Sequence, residues 1–241
     1  VVSELENPEP LRIDDDVVVW SVAREELPER LAAEPLVIVM HGRGSHENDL
    51  PGLFPFLPEG VVYASLRAPL SGAAYGMGGF TWFPPGPPAD PVAASMSGAA
   101  TAVLDWFDRV EQTFGAPPAT AVLGFSQGGA MSVHLMRLAP HRFASAVNLS
   151  GFSASGDYPG DGALAERRPP LFWGRDVDDP VIAASGIDRT SQFVPQFFSV
   201  EERVYPGMGH SISPEELADV SRFLRATLPV DPGDQVPANI E

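Results

Sequence analysis

Gly124-Phe125-Ser126-Gln127-Gly128 sets a serine between two glycines, with an apolar run before it and a helical stretch after it. A serine hydroxyl is a poor nucleophile until a base takes its proton. On a strand-to-helix turn, the G-x-S-x-G spacing lifts that hydroxyl onto a sharp elbow. The glycines matter because the bend packs its neighbours too closely for larger side chains. The same turn leaves the Gln127 N–H at the start of the following helix, where it and the helix dipole can stabilise an oxyanion. The chemistry this suggests is acyl transfer. The pattern alone is weak, since Gly and Ser are common, and the plainer alternative is a turn with a capping serine. The preceding strand and the following Gly129-Ala130-Met131 make it specific.

The base must be one of five histidines, His41, His46, His134, His141 and His210. His134 falls within the helix after the elbow and His141 just past it, so both are expected at the surface or in packing. His41 ends a strand and qualifies on position alone. With a serine on such an elbow, the triad runs Ser, acid, His along the chain, which selects the late His210 in Pro206-Gly207-Met208-Gly209-His210. The acid should follow Leu171-Phe172-Trp173, where Asp176, Asp178 and Asp179 are all candidates and proximity does not choose among them. It must accept from the imidazole N–H, fix its tautomer and stabilise the imidazolium. His41-Gly42-Arg43-Gly44 is suited to supply a second oxyanion donor, the Arg43 amide, because its glycines let the backbone approach a reacting carbonyl. The alternative is a turn needed only for chain direction.

These residues need a frame. Leu36–Met40 and Val61–Leu66 are continuous apolar runs that suit strands buried on both faces. Ala121–Phe125, Phe143–Leu149, Pro170–Trp173 and Phe197–Val204 follow as further strands, with Val17–Trp20 as a short early one. Between Pro28 and Pro35 there is room for one helical turn. Residues 93–114 carry apolar side chains at three- and four-residue spacings and predict an amphipathic helix. Helices are also expected over Gly128–Leu138, Val181–Val194 and Glu215–Leu228, the last with Ser213 as N-cap and Pro214 in the first position. Strands alternating with helices argue for a mostly parallel sheet with helices on both faces. The expected organisation is one α/β domain over residues 1–241, with a loose lead-in at 1–15 and a loose tail at 229–241.

Composition narrows the partners. Thirty-two acidic residues face 15 basic ones, all arginine, for a net charge of -17. Such a charge opposes binding to nucleic-acid phosphates or to an anionic membrane surface. The acidic excess suits a saline environment or ordinary solubility. With no cysteine there is no disulfide and no thiolate catalysis. No apolar stretch is long enough to span a membrane, and the N-terminus lacks a basic region followed by an apolar core, so no retained signal peptide and a cytoplasmic location are expected. The histidine spacing suggests no zinc site, and a chain without Lys cannot carry a phosphate-binding G-x-x-x-x-G-K-[S/T] loop.

From roughly Leu36 to Leu228 the chain resembles the phospholipase/carboxylesterase family of α/β hydrolases, which includes bacterial carboxylesterases and acyl-protein thioesterases. The marks are His41-Gly42-Arg43-Gly44, Gly124-Phe125-Ser126-Gln127-Gly128-Gly129, Asp179-Pro180-Val181-Ile182 and Gly207-Met208-Gly209-His210. The family's acid precedes a Pro-Val-Val or Pro-Val-Ile run, so the resemblance implies Asp179. It also implies an α/β-hydrolase fold, hydrolysis of an ester or thioester without a cofactor, and pairing into homodimers. Three features depart from the pattern. Gly174 and Asp179 are further apart than is usual, Ala183 stands where proline is common, and Arg43 replaces a small or aliphatic residue. The Arg43 side chain would meet an anionic acyl or leaving group, or simply water. The loop Ala73–Pro88, with Tyr75, Met77, Phe80, Trp82 and Phe83, resembles the region flanking the acyl site; its aromatics would line an apolar pocket or pack the loop itself.

The expected activity is therefore a carboxylesterase for short-chain esters, with lysophospholipids and acyl thioesters behind. A dienelactone hydrolase would use the cysteine this chain lacks, and a peptidase would need extra substrate-gripping elements. A binding protein that kept the fold and lost the chemistry would have little reason to keep all these residues together.

Overall fold

In the computed structural model, which describes residues 10–84 and 93–230, seven strands form one sheet. They are β1 (Val19–Trp20), β2 (Leu36–Met40), β3 (Val62–Leu66), β6 (Thr120–Phe125), β7 (Ser145–Leu149), β8 (Pro170–Arg175) and β9 (Ser199–Val204). Their spatial order is β1-β3-β2-β6-β7-β8-β9. Only β1 runs antiparallel, pairing Val19 with Ser65 and Trp20 with Ala64. The other neighbours are parallel, so each connection crosses over through a helix or long segment. The reversal of winding falls at β2 and β6, whose carboxyl ends carry His41 and Ser126. Open parallel sheets bind their ligands beside such an edge.

The two faces explain the unbroken apolar runs. Ile38, Met40, Val122, Ala146 and Trp173 face one core with α1 (Leu27–Ala33), α2 (Ala93–Phe114), α3 (Gln127–Leu138), α4 (Asp161–Arg167) and α5 (Ala184–Phe197). Val37, Val39, Leu123, Val147 and Phe172 face a second core with Val220, Phe223 and Leu224 of α6 (Pro214–Thr227). Helix α3 is buried from Gln127 to Arg137 because it runs beneath α2 against the strands. This is the α/β-hydrolase arrangement.

Several expectations shift. Residues 1–9 lie outside the described residues, but the remainder of the expected loose lead-in is docked. Ile13 is fully buried, and Arg109 of α2 holds both the Ile13 carbonyl and the Asp15 carboxylate. The segment read as a long loop holds a short hairpin of β4 (Leu70–Ser71) and β5 (Phe80–Thr81), joined by a tight helical turn at Gly72–Tyr75; residues 85–92 are outside the described ones. Helix α4 has no expectation behind it. Its seven residues are too few for a periodic signal, and burial of the Arg137–Asp161 ion pair fixes it in place. Helix α5 starts later than Val181 because Asp179 Oδ1 accepts the Val181 and Ile182 N–H groups, at 2.7 and 3.0 Å, and turns the chain first. Helix α6 begins as expected, with Ser213 Oγ accepting the Glu216 N–H.

Candidate active site

Strand β6 delivers Ser126 directly into α3, and the bend between them is severe. Ser126 has φ 55° and ψ -114°, a region that L-residues occupy only when the surroundings enforce it. The surroundings are tight enough to do so. A Cβ on Gly124 would lie 2.0 Å from the Gly128 carbonyl oxygen, and one on Gly128 would lie 2.0 Å from that of Met40. The Ser126 N–H is tied to Leu149 O at 2.7 Å. Glycine at both flanking positions is thus a condition for α3 to cross the end of β2 this closely.

The loop after β9 brings His210 over this elbow. Its Nε2 lies 2.9 Å from Ser126 Oγ, its Nδ1 lies 2.7 Å from Asp179 Oδ2, and its ring packs against Phe125 at 4.9 Å between centroids. An ionised Asp179 only accepts, so the Nδ1 proton points to it and the Nε2 lone pair faces the serine hydroxyl. The Asp179 side chain is 1 % exposed and that of His210 14 %, so the acid is shielded while the imidazole stays reachable from the serine side.

The other two aspartates stand elsewhere. Asp178 is exposed. Asp176 is buried and accepts from the backbone of Gly209 and of Asp178, bonds that hold its carboxyl below the usual carboxylate range. Neither hydrogen-bonds to the imidazole. Among the histidines, His41 is fully buried and its Nε2 accepts the Ala68 N–H at 3.1 Å. The proton is therefore on Nδ1, which donates to Gly42 O at 2.7 Å. Burial lowers its pKa. His41 ties the end of β2 to the segment after β3, and its lone pair is already used. His134 is buried within α3 against Ser97 Oγ, and burial moves its pKa down to about 4.

The Arg43 and Gln127 backbone N–H groups have no acceptor among the described residues. Gly42 brings its backbone against the serine: a Cβ there would be 3.6 Å from Ser126 Cβ. The Arg43 side chain is exposed and makes no ion pair among the described residues. The Gln127 side chain has a separate task that residue types alone gave no sign of. Its Oε1 accepts from Thr81 Oγ1 and the Trp82 N–H, and its Nε2 donates to Phe83 O. Three bonds of 2.9–3.0 Å thus fasten the β5 hairpin onto the elbow. Of the aromatic set, Trp82 is fully buried with its indole N–H on His41 O, and Phe83 is buried edge-on to Phe152. Tyr75, Met77 and Phe80 are partly exposed, and Arg67 lies over the Phe80 ring while its guanidinium grips Glu47.

Among the described residues no group of three His, Asp or Glu side chains is placed to hold a metal ion, and no helix is long and apolar enough to cross a membrane.

Comparison with known proteins supplies a family. The family described as Phospholipase/Carboxylesterase matches residues 27–228. Acyl-protein thioesterase 1 of Debaryomyces hansenii is 36% identical over 104 residues, 42% of this chain and 45% of that protein, so the chain spans under half the length of that relative. Acyl-protein thioesterase 1 of Kluyveromyces lactis is 27% identical over 213 residues, 81% of this chain and 93% of that protein. A solved carboxylesterase from Mesorhizobium loti superposes with a TM-score of 0.71 at 18% identity, over 90% of this chain and 99% of that one, a likeness of fold.

Proposed function

This chain belongs to the phospholipase/carboxylesterase family, and we propose that it hydrolyses small or short-chain carboxylic esters through an acyl-serine formed on Ser126. The observation that carries the proposal is the unbroken line from Asp179 through His210 to Ser126 Oγ, with links of 2.7 and 2.9 Å.

His210 Nε2 takes the hydroxyl proton as Oγ attacks the ester carbonyl. The Arg43 and Gln127 amides receive the oxyanion, which removing one such donor typically weakens by about 10²–10³ in rate. Asp179 stabilises the imidazolium and holds its tautomer without itself being protonated. The imidazolium then protonates the departing alkoxide, and water activated by the same nitrogen releases the acid. The partly exposed Tyr75, Met77 and Phe80 of the hairpin are assigned to the acyl side, while the buried Trp82 and Phe83 support the elbow from within. No step calls for a cofactor.

Thioester hydrolysis is the second reading, favoured by the similarity to acyl-protein thioesterase 1 of two yeasts. The net charge of -17 weighs against work at anionic bilayers.

The test is hydrolysis of p-nitrophenyl esters from acetate to palmitate, with Ser126→Ala alongside. Activity that peaks at short chains and disappears in the variant supports the proposal. A peak at long chains moves the assignment toward lipid or acyl-protein substrates. Full activity in Ser126→Ala refutes the nucleophile.

A further inference from the structure

We infer that Asp176 is a positioning residue: its buried carboxylate ties the histidine-bearing loop to the acid-bearing loop, and so sets His210 in line between Asp179 and Ser126. The inference rests on the triad proposed above.

Asp176 follows the last residue of β8 and is 2 % exposed. Its two oxygens have divided roles. Oδ1 accepts the Asp178 N–H at 3.2 Å, next to Asp179 in the chain. Oδ2 accepts the Gly209 N–H at 2.5 Å, next to His210 and 33 residues away. One carboxylate therefore holds the neighbours of both residues that must meet. Lesser pulls come from the Val177 and Gly207 amides, and together these N–H groups keep the carboxyl ionised.

The histidine loop needs such a tether. Gly207 and Gly209 have φ of 82° and 67°, so the segment before His210 contains two residues with wide conformational freedom. Its other backbone anchors come earlier, Tyr205 N–H to Arg175 O and Met208 N–H to Tyr205 O. A hydrogen bond to an ionised acceptor is about twice as strong as a neutral one, and misplacing a reacting group by about 1 Å costs about 10²-fold in rate. The longer interval between Gly174 and Asp179 gives the chain room for this second aspartate. The three aspartates thus have distinct roles: Asp179 bonds the imidazole, Asp176 holds the loop and Asp178 faces water.

The test uses Asp176→Ala and Asp176→Asn in the full chain, with Ser126→Ala and Asp179→Asn as references. For Asp176→Ala we expect kcat on a p-nitrophenyl ester to fall about 10–100-fold with KM little changed. Asp176→Asn should recover part of it, because its amide oxygen can still accept from Gly209. In proton NMR, the downfield resonance of the His210 Nδ1 proton should broaden away in Asp176→Ala while circular dichroism still reports a folded chain. An unchanged kcat with an unchanged resonance overturns the inference. If Asp176→Ala does not fold, hydrogen exchange of the Gly209 amide in the unsubstituted protein decides: slow exchange supports the tether and fast exchange overturns it. Turnover lost in Ser126→Ala and Asp179→Asn but kept in Asp176→Ala rejects the tether and leaves the triad standing. Turnover kept in Ser126→Ala rejects the triad, and with it the positioning role.

Discussion

Glu216 should make the stability of this protein fall with rising pH, and replacing it with glutamine should remove that fall. The residue lies in the first turn of α6, three residues past its Ser213 cap. The carboxyl is fully buried and neither oxygen has a partner within hydrogen-bonding geometry among the described residues. It presses on the end of β8, where a Cβ on Gly174 would be 2.0 Å from Oε1. Burial, reinforced by the nearby charge of Asp219, pushes its pKa from 4.5 up to about 8 against a weak opposing pull from the Ser213 backbone. The folded chain therefore keeps a proton that the unfolded chain has released above pH 4.5. The unfolded state binds fewer protons at this group in this window, so the contribution of Glu216 to stability is greatest below pH 4.5 and falls until about pH 8. At about 1.4 kcal/mol per pH unit the full loss is about 5 kcal/mol, a large share of the roughly 5–15 kcal/mol that holds a domain. Glu216→Gln keeps the shape and cannot ionise. Its amide brings an unpaired donor that costs about 1–3 kcal/mol at every pH, so the offset is uninformative and the slope is the test. Urea unfolding at pH 5, 7 and 9 should show the variant gaining on the parent at each step and levelling off beyond pH 8. Parallel curves for the two proteins would refute the reasoning.

Asp179→Asn should lower kcat about 10⁴-fold with KM little changed, because the amide can no longer hold the imidazole in the required tautomer; steady-state kinetics on a short-chain ester checks this. Gly128→Ala should destabilise the chain by about 3 kcal/mol or more, since its methyl would meet the Met40 and His41 backbone carbonyls at the buried end of β2. Thermal unfolding and the rate of Ser126 labelling by a fluorophosphonate should fall together in that variant.

Much of the frame could be read from the chain because local signals and burial agree. The runs at Leu36–Met40 and Thr120–Phe125 are apolar at every position since both faces of those strands are covered. The spacing of Ala99, Val103, Trp106, Phe107 and Val110 defines α2 because one stripe of that helix faces the core. Where an element is short, or held by a distant partner, the local signal is too weak. Helix α4 depends on Arg137, whose guanidinium grips Asp161 and the Ala154 and Gly156 carbonyls between the rings of Tyr158 and Phe193. The β4–β5 hairpin depends on the Gln127 side chain.

The candidate site divides in the same way. Glycines at 124 and 128, a serine between them and a histidine late in the chain form a pattern of residue types and chain order, so this part of the candidate site can be read without the structure. Spacing leaves three nearby aspartates open and only the resemblance points to Asp179; where each carboxylate is directed belongs to the tertiary structure. Asp176, Asp178 and Asp179 have the same chemistry and nearly the same position along the chain. Only the path of the loop after β8 turns one toward His210, one toward Gly209 and one to water. The tautomer of His41 was also beyond the sequence, because the Ala68 N–H that fixes it lies 27 residues away. The sequence by itself determined which residues could do the chemistry; the packing of two loops against the end of a parallel sheet decided which of them face one another.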